Sequence, residues 1–191
     1  MRPGFRTLVS CALLVSGAAL MLYGTYIPAK AWLAQLLLDR AWERRLAGES
    51  DVPPWPWADT QPVARLTLAR LGIEQIVLAG ASGRVLAFGP GHVTGSARPG
   101  DRGNVVISGH RDTHFRWLAS LRDGDRLDLE TSDGHSRPYA VVRSAVHHER
   151  DIGLLDPMDG DQLRLLTCYP LDAIDSGTPQ RYVVTARPLR L

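Results

Sequence analysis

Apolar and polar positions change rhythm three times along the chain. From Thr7 to Ile27 there is no alternation: "TLVSCALLVSGAALMLYGTYI" carries no charge in 21 positions. At 1.5 Å rise per residue, about 20 helical residues cross a hydrocarbon layer roughly 30 Å thick. From 29 to 49 ("AKAWLAQLLLDRAWERRLAGE") the spacing turns helical, with Trp32 and Leu36, and Leu33 and Leu37, four apart. Helix formers dominate, and Arg44 and Arg45 suit a helix C-terminus. This stretch predicts a helix acting as a spacer. Pro53, Pro54 and Pro56 in "DVPPWPWA" then stop any helix and make a stiff linker.

The third rhythm is alternation. "VARLTLARLGIEQIVLA" (63–79) predicts two strands about a turn at Gly72, and "NVVISG" (104–109) a buried strand. "DRLDLET" (125–131) and "RPYAVVRSAV" (137–146) predict a hairpin with "SDGHS" in its turn. "LRLLTC" (163–168) and "RYVVTARPL" (181–189) are two further strands. Between them lie a long loop, "GPGHVTGSARPGDRG" (89–103), and a short helix, "FRWLASL" (115–121). Six to eight short strands with little helix predict a mainly β fold, a closed barrel or a sandwich. The implied division is 1–28 as cytoplasmic tip and membrane anchor, 29–60 as helical stalk and linker, and 61–191 as a globular domain with one modest core.

Charge narrows the location. Arg2 and Arg6 precede the apolar run, and Tyr23 and Tyr26 sit at its far end. The positive-inside rule puts the N-terminus in the cytoplasm and everything after residue 28 outside, as a single-pass inner-membrane protein with a periplasmic domain. The alternative is a signal peptide cleaved at "AKA" (29–31), whose apolar core is expected to be shorter, about 7–15 residues. On either reading the rest of the chain leaves the cytoplasm. With 22 basic against 20 acidic residues, and a net charge of +2, the chain lacks the footprint of a nucleic-acid binder.

The chemistry starts from cysteine. Cys11 lies in the apolar run, so Cys168 is the lone thiol of the exported part. A lone thiol in an oxidising compartment is a candidate nucleophile; the alternative is a buried, inert side chain. Cys168 ends an apolar strand, Thr167 points to the opposite face, and Pro170 stops the ladder. A thiol with a pKa near 8.5 needs a nearby cation to become a working nucleophile. His110 ends the strand "NVVISGH", and Arg181 opens "QRYVV" thirteen residues after Cys168, a spacing that a strand–loop–strand return requires. Three strand ends of this kind can converge at one rim of a β-barrel.

The segment "ISGHRDTHF" (107–115) has other readings. His110 and His114 have the i, i+4 spacing of zinc helices. Arg111 stands where the general base of that motif belongs, and a third ligand has to come from His92, His147 or His148. His147 and His148 read instead as a solvated strand end, and no metal is assigned. A kinase-type His-Arg-Asp loop needs Asn where this chain has Trp117. The G-x-G at 89–91 contains Pro90 with no helix following.

"GNVVISGHRDTHF", "LRLLTCYP" and "QRYVV", in that order, resemble the sortases, membrane-anchored cysteine transpeptidases. The resemblance covers 61–191 together with the anchor, and "CYP" and "GHRDTHF" look most like the class D-like sortases of Gram-negative bacteria, called class GN. Leu171 stands where many relatives carry an aromatic, a departure that touches loop packing. The resemblance implies a closed β-barrel of about eight strands. It implies Cys168 as nucleophile attacking the Thr carbonyl of a C-terminal LPxTG-like motif, Arg181 stabilising the oxyanion, and His110 as general acid. Thr167 is implied as a substrate contact and Asp112 as a supporting residue; His114 is structural. The implied partners are an exported protein with a sorting signal, an amine acceptor and the lipid bilayer. Some sortases bind calcium through loop carboxylates, but 89–103 offers only Asp101, so no cofactor is expected. Two alternatives remain: a thiol peptidase that mainly hydrolyses, and a non-catalytic anchored β-domain that binds a partner or metal. The compact His-Gly-Cys-x-Arg cluster of peptidoglycan L,D-transpeptidases does not match a His 58 residues before the Cys.

Overall fold

A computed structural model of the chain describes residues 3–156, 160–173 and 177–189. It divides into two compact units, Met1–Leu37 and Leu38–Leu191. One helix, α1 (Pro3–Leu46), runs through Pro28. Its Thr7–Leu46 portion is long and apolar enough to cross a membrane, and in the first unit Leu8, Leu13, Leu14, Leu20 and Met21 are exposed. Arg2 of the orientation argument lies outside the described residues.

In the second unit eight strands close into a barrel: β1 (Pro62–Leu68), β2 (Ile73–Ala79), β3 (Gly91–His92), β4 (Asn104–Ser108), β5 (Arg126–Thr131), β6 (Ser136–His148), β7 (Gln162–Tyr169) and β8 (Gln180–Pro188). Their order around the ring is β1-β2-β3-β4-β7-β8-β6-β5, with β1 pairing back onto β5. Alternation dictates the interior. Leu66 and Leu68 of β1, Leu127 and Leu129 of β5, Leu163 and Leu165 of β7, and Val184 and Ala186 of β8 share one core. Phe115, Trp117 and Leu118, around the short 3-10 helix Arg116–Ser120, belong to the same core. This is the short helix expected at 115–121. Gly72, with φ of 63°, makes the β1–β2 turn in the left-handed region that glycine enters at little steric cost.

The last turns of α1 are more than a spacer. Leu38 and Trp42, four apart and fully buried, pack with Ile76, Leu78 and Val85 in a second cluster. Val85 comes from α2 (Gly83–Leu86), a four-residue helix whose Ser82 side chain accepts from the Val85 N–H. Four residues carry no helical period to read, and nothing in the sequence pattern signalled α2.

Candidate active site

The pairing registers bring the strand ends together. Antiparallel pairing of β7 with β8 sets Cys168 opposite Arg181, and that of β6 with β8 sets His147 opposite Arg181. Directly opposed residues share a face of the sheet. The parallel pairing of β4 with β7 holds a constant offset of 58 residues, from Asn104 with Gln162 to Ser108 with Leu166. Two hydrogen bonds carry this offset past the end of β4. The Gly109 N–H donates to the Leu166 carbonyl at 3.0 Å, and the Thr167 hydroxyl donates to the Gly109 carbonyl at 2.8 Å. The turn that carries His110 is thereby tied to the two β7 residues before Cys168. His147, Arg181 and Cys168 form one row across three neighbouring strand ends.

Parity sets which side the row faces. Leu163 and Leu165 point inward, so Cys168, at odd spacing from them, points outward and is half-buried. Thr167, implied by the resemblance to touch substrate, faces the barrel interior at 2% exposure. Its hydroxyl is engaged by the Gly109 carbonyl, so its place in the site is to join β7 to the turn that carries His110.

Arg181 is held by three acceptors. Its Nη1 donates to the carbonyls of Thr178 at 2.6 Å and Gln180 at 2.9 Å, and its Nη2 donates to the Glu149 carboxylate at 2.7 Å. The Tyr169–Pro170 peptide is cis. Asp112 chelates its neighbour: Arg111 Nε donates to Asp112 Oδ1 at 3.0 Å. That bond, and the charges of Arg111, His110 and Arg116, hold the Asp112 carboxyl below the usual carboxylate range. His147, read from sequence as part of a solvated strand end, is half-buried, and its Nδ1 lies 2.9 Å from Asp151. The alternation along β6 gave its face but not this partner.

His110 precedes a run of turn, 111–115, and His114 lies within it, so their i, i+4 spacing is not that of a helix face. Burial pushes the His114 imidazole below its ordinary value. Among the described residues no three His, Cys, Asp or Glu side chains gather to hold a metal ion.

Two features of the site were not legible. Arg111, weighed in the sequence only as a cation unsuited to a metal, is 5% exposed and donates from Nη1 to the Pro170 carbonyl at 2.7 Å. Arg164, on the outer face of β7, is 4% exposed and donates to the Leu154 carbonyl at 2.6 Å, which also accepts from Asn104 at 2.9 Å. These bonds fix the 3-10 turn Ile152–Leu154 of the β6–β7 connection against the start of β4 and the outer face of β7. A groove of about 760 Å³, lined by Ile73, Gln75, Trp117, Tyr169, Leu171 and Asp172 among others, opens at the same strand end.

Residues 66–189 match the family model of the Sortase domain. Sortase D of Bacillus subtilis (strain 168) is 32% identical over 120 residues, which span 62% of this chain and 60% of that protein. Among solved structures, sortase A from Corynebacterium diphtheriae is similar at a TM-score of 0.61 and 27% identity, over 71% of this chain and 64% of that one. The chain thus spans less than two thirds of the length of these two relatives. A Clostridium perfringens sortase D5 transpeptidase has the same fold at a TM-score of 0.65, 22% identity, and coverage of 83% of this chain and 99% of that one.

Proposed function

The chain belongs to the sortase family, and on that premise we propose that it is a cysteine transpeptidase acting on exported proteins that end in an LPxTG-like sorting motif. The single observation that carries this reading is the register that sets Cys168 opposite Arg181 on the outer face of the barrel rim, with Gly109, the residue before His110, bonded to Thr167 next to them. In this mechanism the Cys168 thiolate attacks the carbonyl of the motif's Thr. The carbonyl oxygen takes up negative charge, and Arg181, directly across the ladder, stabilises it; such preorganised charge is commonly the largest single contribution to catalysis. Collapse of the tetrahedral intermediate breaks the Thr–Gly bond, and His110 as imidazolium gives its proton to the departing amine. A thioester on Cys168 remains. An acceptor amine attacks it, loses a proton to His110, and leaves joined to the substrate through a new amide bond while the Cys168 thiolate is expelled and the starting pair regenerated.

Asp112 supports His110 through its charge. The apolar helix anchors the enzyme in the cytoplasmic membrane with the barrel on the outside, where exported substrates pass. Incubating the full chain with an LPxTG-type peptide and a primary amine tests the reading. Mass spectrometry should find the peptide's acyl part on Cys168 and an amide product, and Cys168→Ala should lose both. Cleavage that persists in Cys168→Ala, or a wild-type chain that forms no adduct with such peptides, would sink it.

A further inference from the structure

His110 and Cys168 sit on separate segments, and the ladder between β4 and β7 ends before either. Arg111 spans what the ladder leaves open. It follows His110 directly, and through its Nη1 it grips the carbonyl of Pro170, two residues after Cys168, at 2.7 Å. Its Nε is fixed by Asp112 at 3.0 Å. One planar guanidinium, with its donors in a rigid fork, thus joins the turn that follows His110 to the loop that follows Cys168. The side chain is 5% exposed although it belongs to a turn at the barrel rim. Arg111 also feels the sulfur: its pKa is raised first by the hydrogen bond to Asp112, with the charges of Asp112, Cys168 and Asp172 adding to the rise.

We propose that Arg111 is a positioning residue of the reaction, clamping the turn after His110 to the loop after Cys168 while holding a fixed positive charge near the sulfur. Its role is distinct from that of Arg181, which faces Cys168 across the ladder. The proposal rests on the transpeptidase reading for its effect on turnover, but its effect on the thiol does not need that reading.

The test uses the full chain in detergent with two probes, a fluorogenic LPxTG-type peptide and iodoacetamide. Wild type, Arg111→Gln and Arg111→Lys are compared after thermal melts establish that each is folded. Arg111→Gln should lower kcat by about tenfold or more while KM changes far less, because alignment is lost and not binding. It should also slow alkylation of Cys168 at pH 7 by about threefold or more, since the thiolate is the reacting form. Arg111→Lys should recover the alkylation rate, because the charge returns. It should not recover kcat, because an ammonium cannot reproduce the fork to both Pro170 and Asp112. Wild-type kcat in Arg111→Lys, or an unchanged alkylation rate in folded Arg111→Gln, overturns the proposal. If Arg111→Gln does not fold, kcat of Arg111→Lys decides alone. A wild-type chain that cleaves no such peptide, yet is alkylated faster than Arg111→Gln, supports the charge near the sulfur and counts against the transpeptidase reading only.

Discussion

The hydroxyl of Thr167 donates to the carbonyl of Gly109, tying the residue before Cys168 to the residue before His110 at 2.8 Å. Thr167 is 2% exposed, so water cannot replace this bond. Thr167→Val keeps the shape and removes the donor, leaving a carbonyl unsatisfied in the interior at a cost of about 1–3 kcal/mol. Thermal melts should show a clear drop in Tm, with Thr167→Ser close to wild type. On the proposed function, peptide cleavage should fall in the same variant, because the strand end that carries Cys168 and the turn that carries His110 lose this common anchor. Equal melting of Thr167→Val and wild type would refute this.

Gly109 is required by what lies over it. A Cβ there would stand 2.8 Å from ring carbons of Phe115, which is fully buried. Gly109→Ala should therefore destabilise by about 1–3 kcal/mol through overpacking. The Phe115→Leu background, which opens space, should reduce that penalty. A double-mutant cycle read by urea unfolding measures the coupling, and strict additivity would show that Phe115 is not the obstacle.

The strands were legible from alternation, as in β1, or from short apolar runs bounded by turn residues, as in β4, and the parity of "LRLLTC" correctly set Thr167 and Cys168 on opposite sides. The identity of the neighbours was less accessible. β3 is two residues long and carries no period, and the parallel pairing of β4 with β7 joins segments 58 residues apart with no local signal. Arg111 was hidden for a different reason. A charged residue in a polar turn reads as solvated, and nothing local signals that the Pro170 carbonyl and the Asp112 carboxylate accept from its buried guanidinium. The stripe of Leu38 and Trp42 was present in the helical spacing, but its partners, Ile76 and Leu78, come from a strand more than thirty residues on.

Acid should weaken the fold through His114. Burial, the largest influence, and the charge of His110 lower its pKa, against a hydrogen bond with the backbone of Ala87 that raises it. A depressed histidine contributes stability in full above its unfolded value of about 6.5, and that contribution is lost as pH falls from there toward the folded value. In that window the unfolded chain binds the proton first. Melting temperature should decline between pH 7.5 and pH 5, and His114→Gln should flatten the decline. Parallel curves for the two proteins would assign the acid sensitivity elsewhere.

The end of α1 should behave as part of the domain. Trp42→Ala removes a fully buried indole and should cost about 3–5 kcal/mol. A chain begun at residue 61 should likewise unfold at lower urea than one begun at residue 38. Matching midpoints would make the helix end dispensable.

Closure of the barrel has a bearing on the sulfur itself. In a sheet with free edges, one strand can slip a single residue past its neighbour and still find partners. Here β1 returns to β5, so each strand is bounded on both sides and a slip must break two ladders at once. A one-residue slip of β7 would exchange the faces of Thr167 and Cys168, turning the thiol into the oil of the interior and offering a hydroxyl to solvent. The ring is thus a lock on odd and even: it makes the outward aim of one atom a property of the whole circuit of strands, not of the few residues around it.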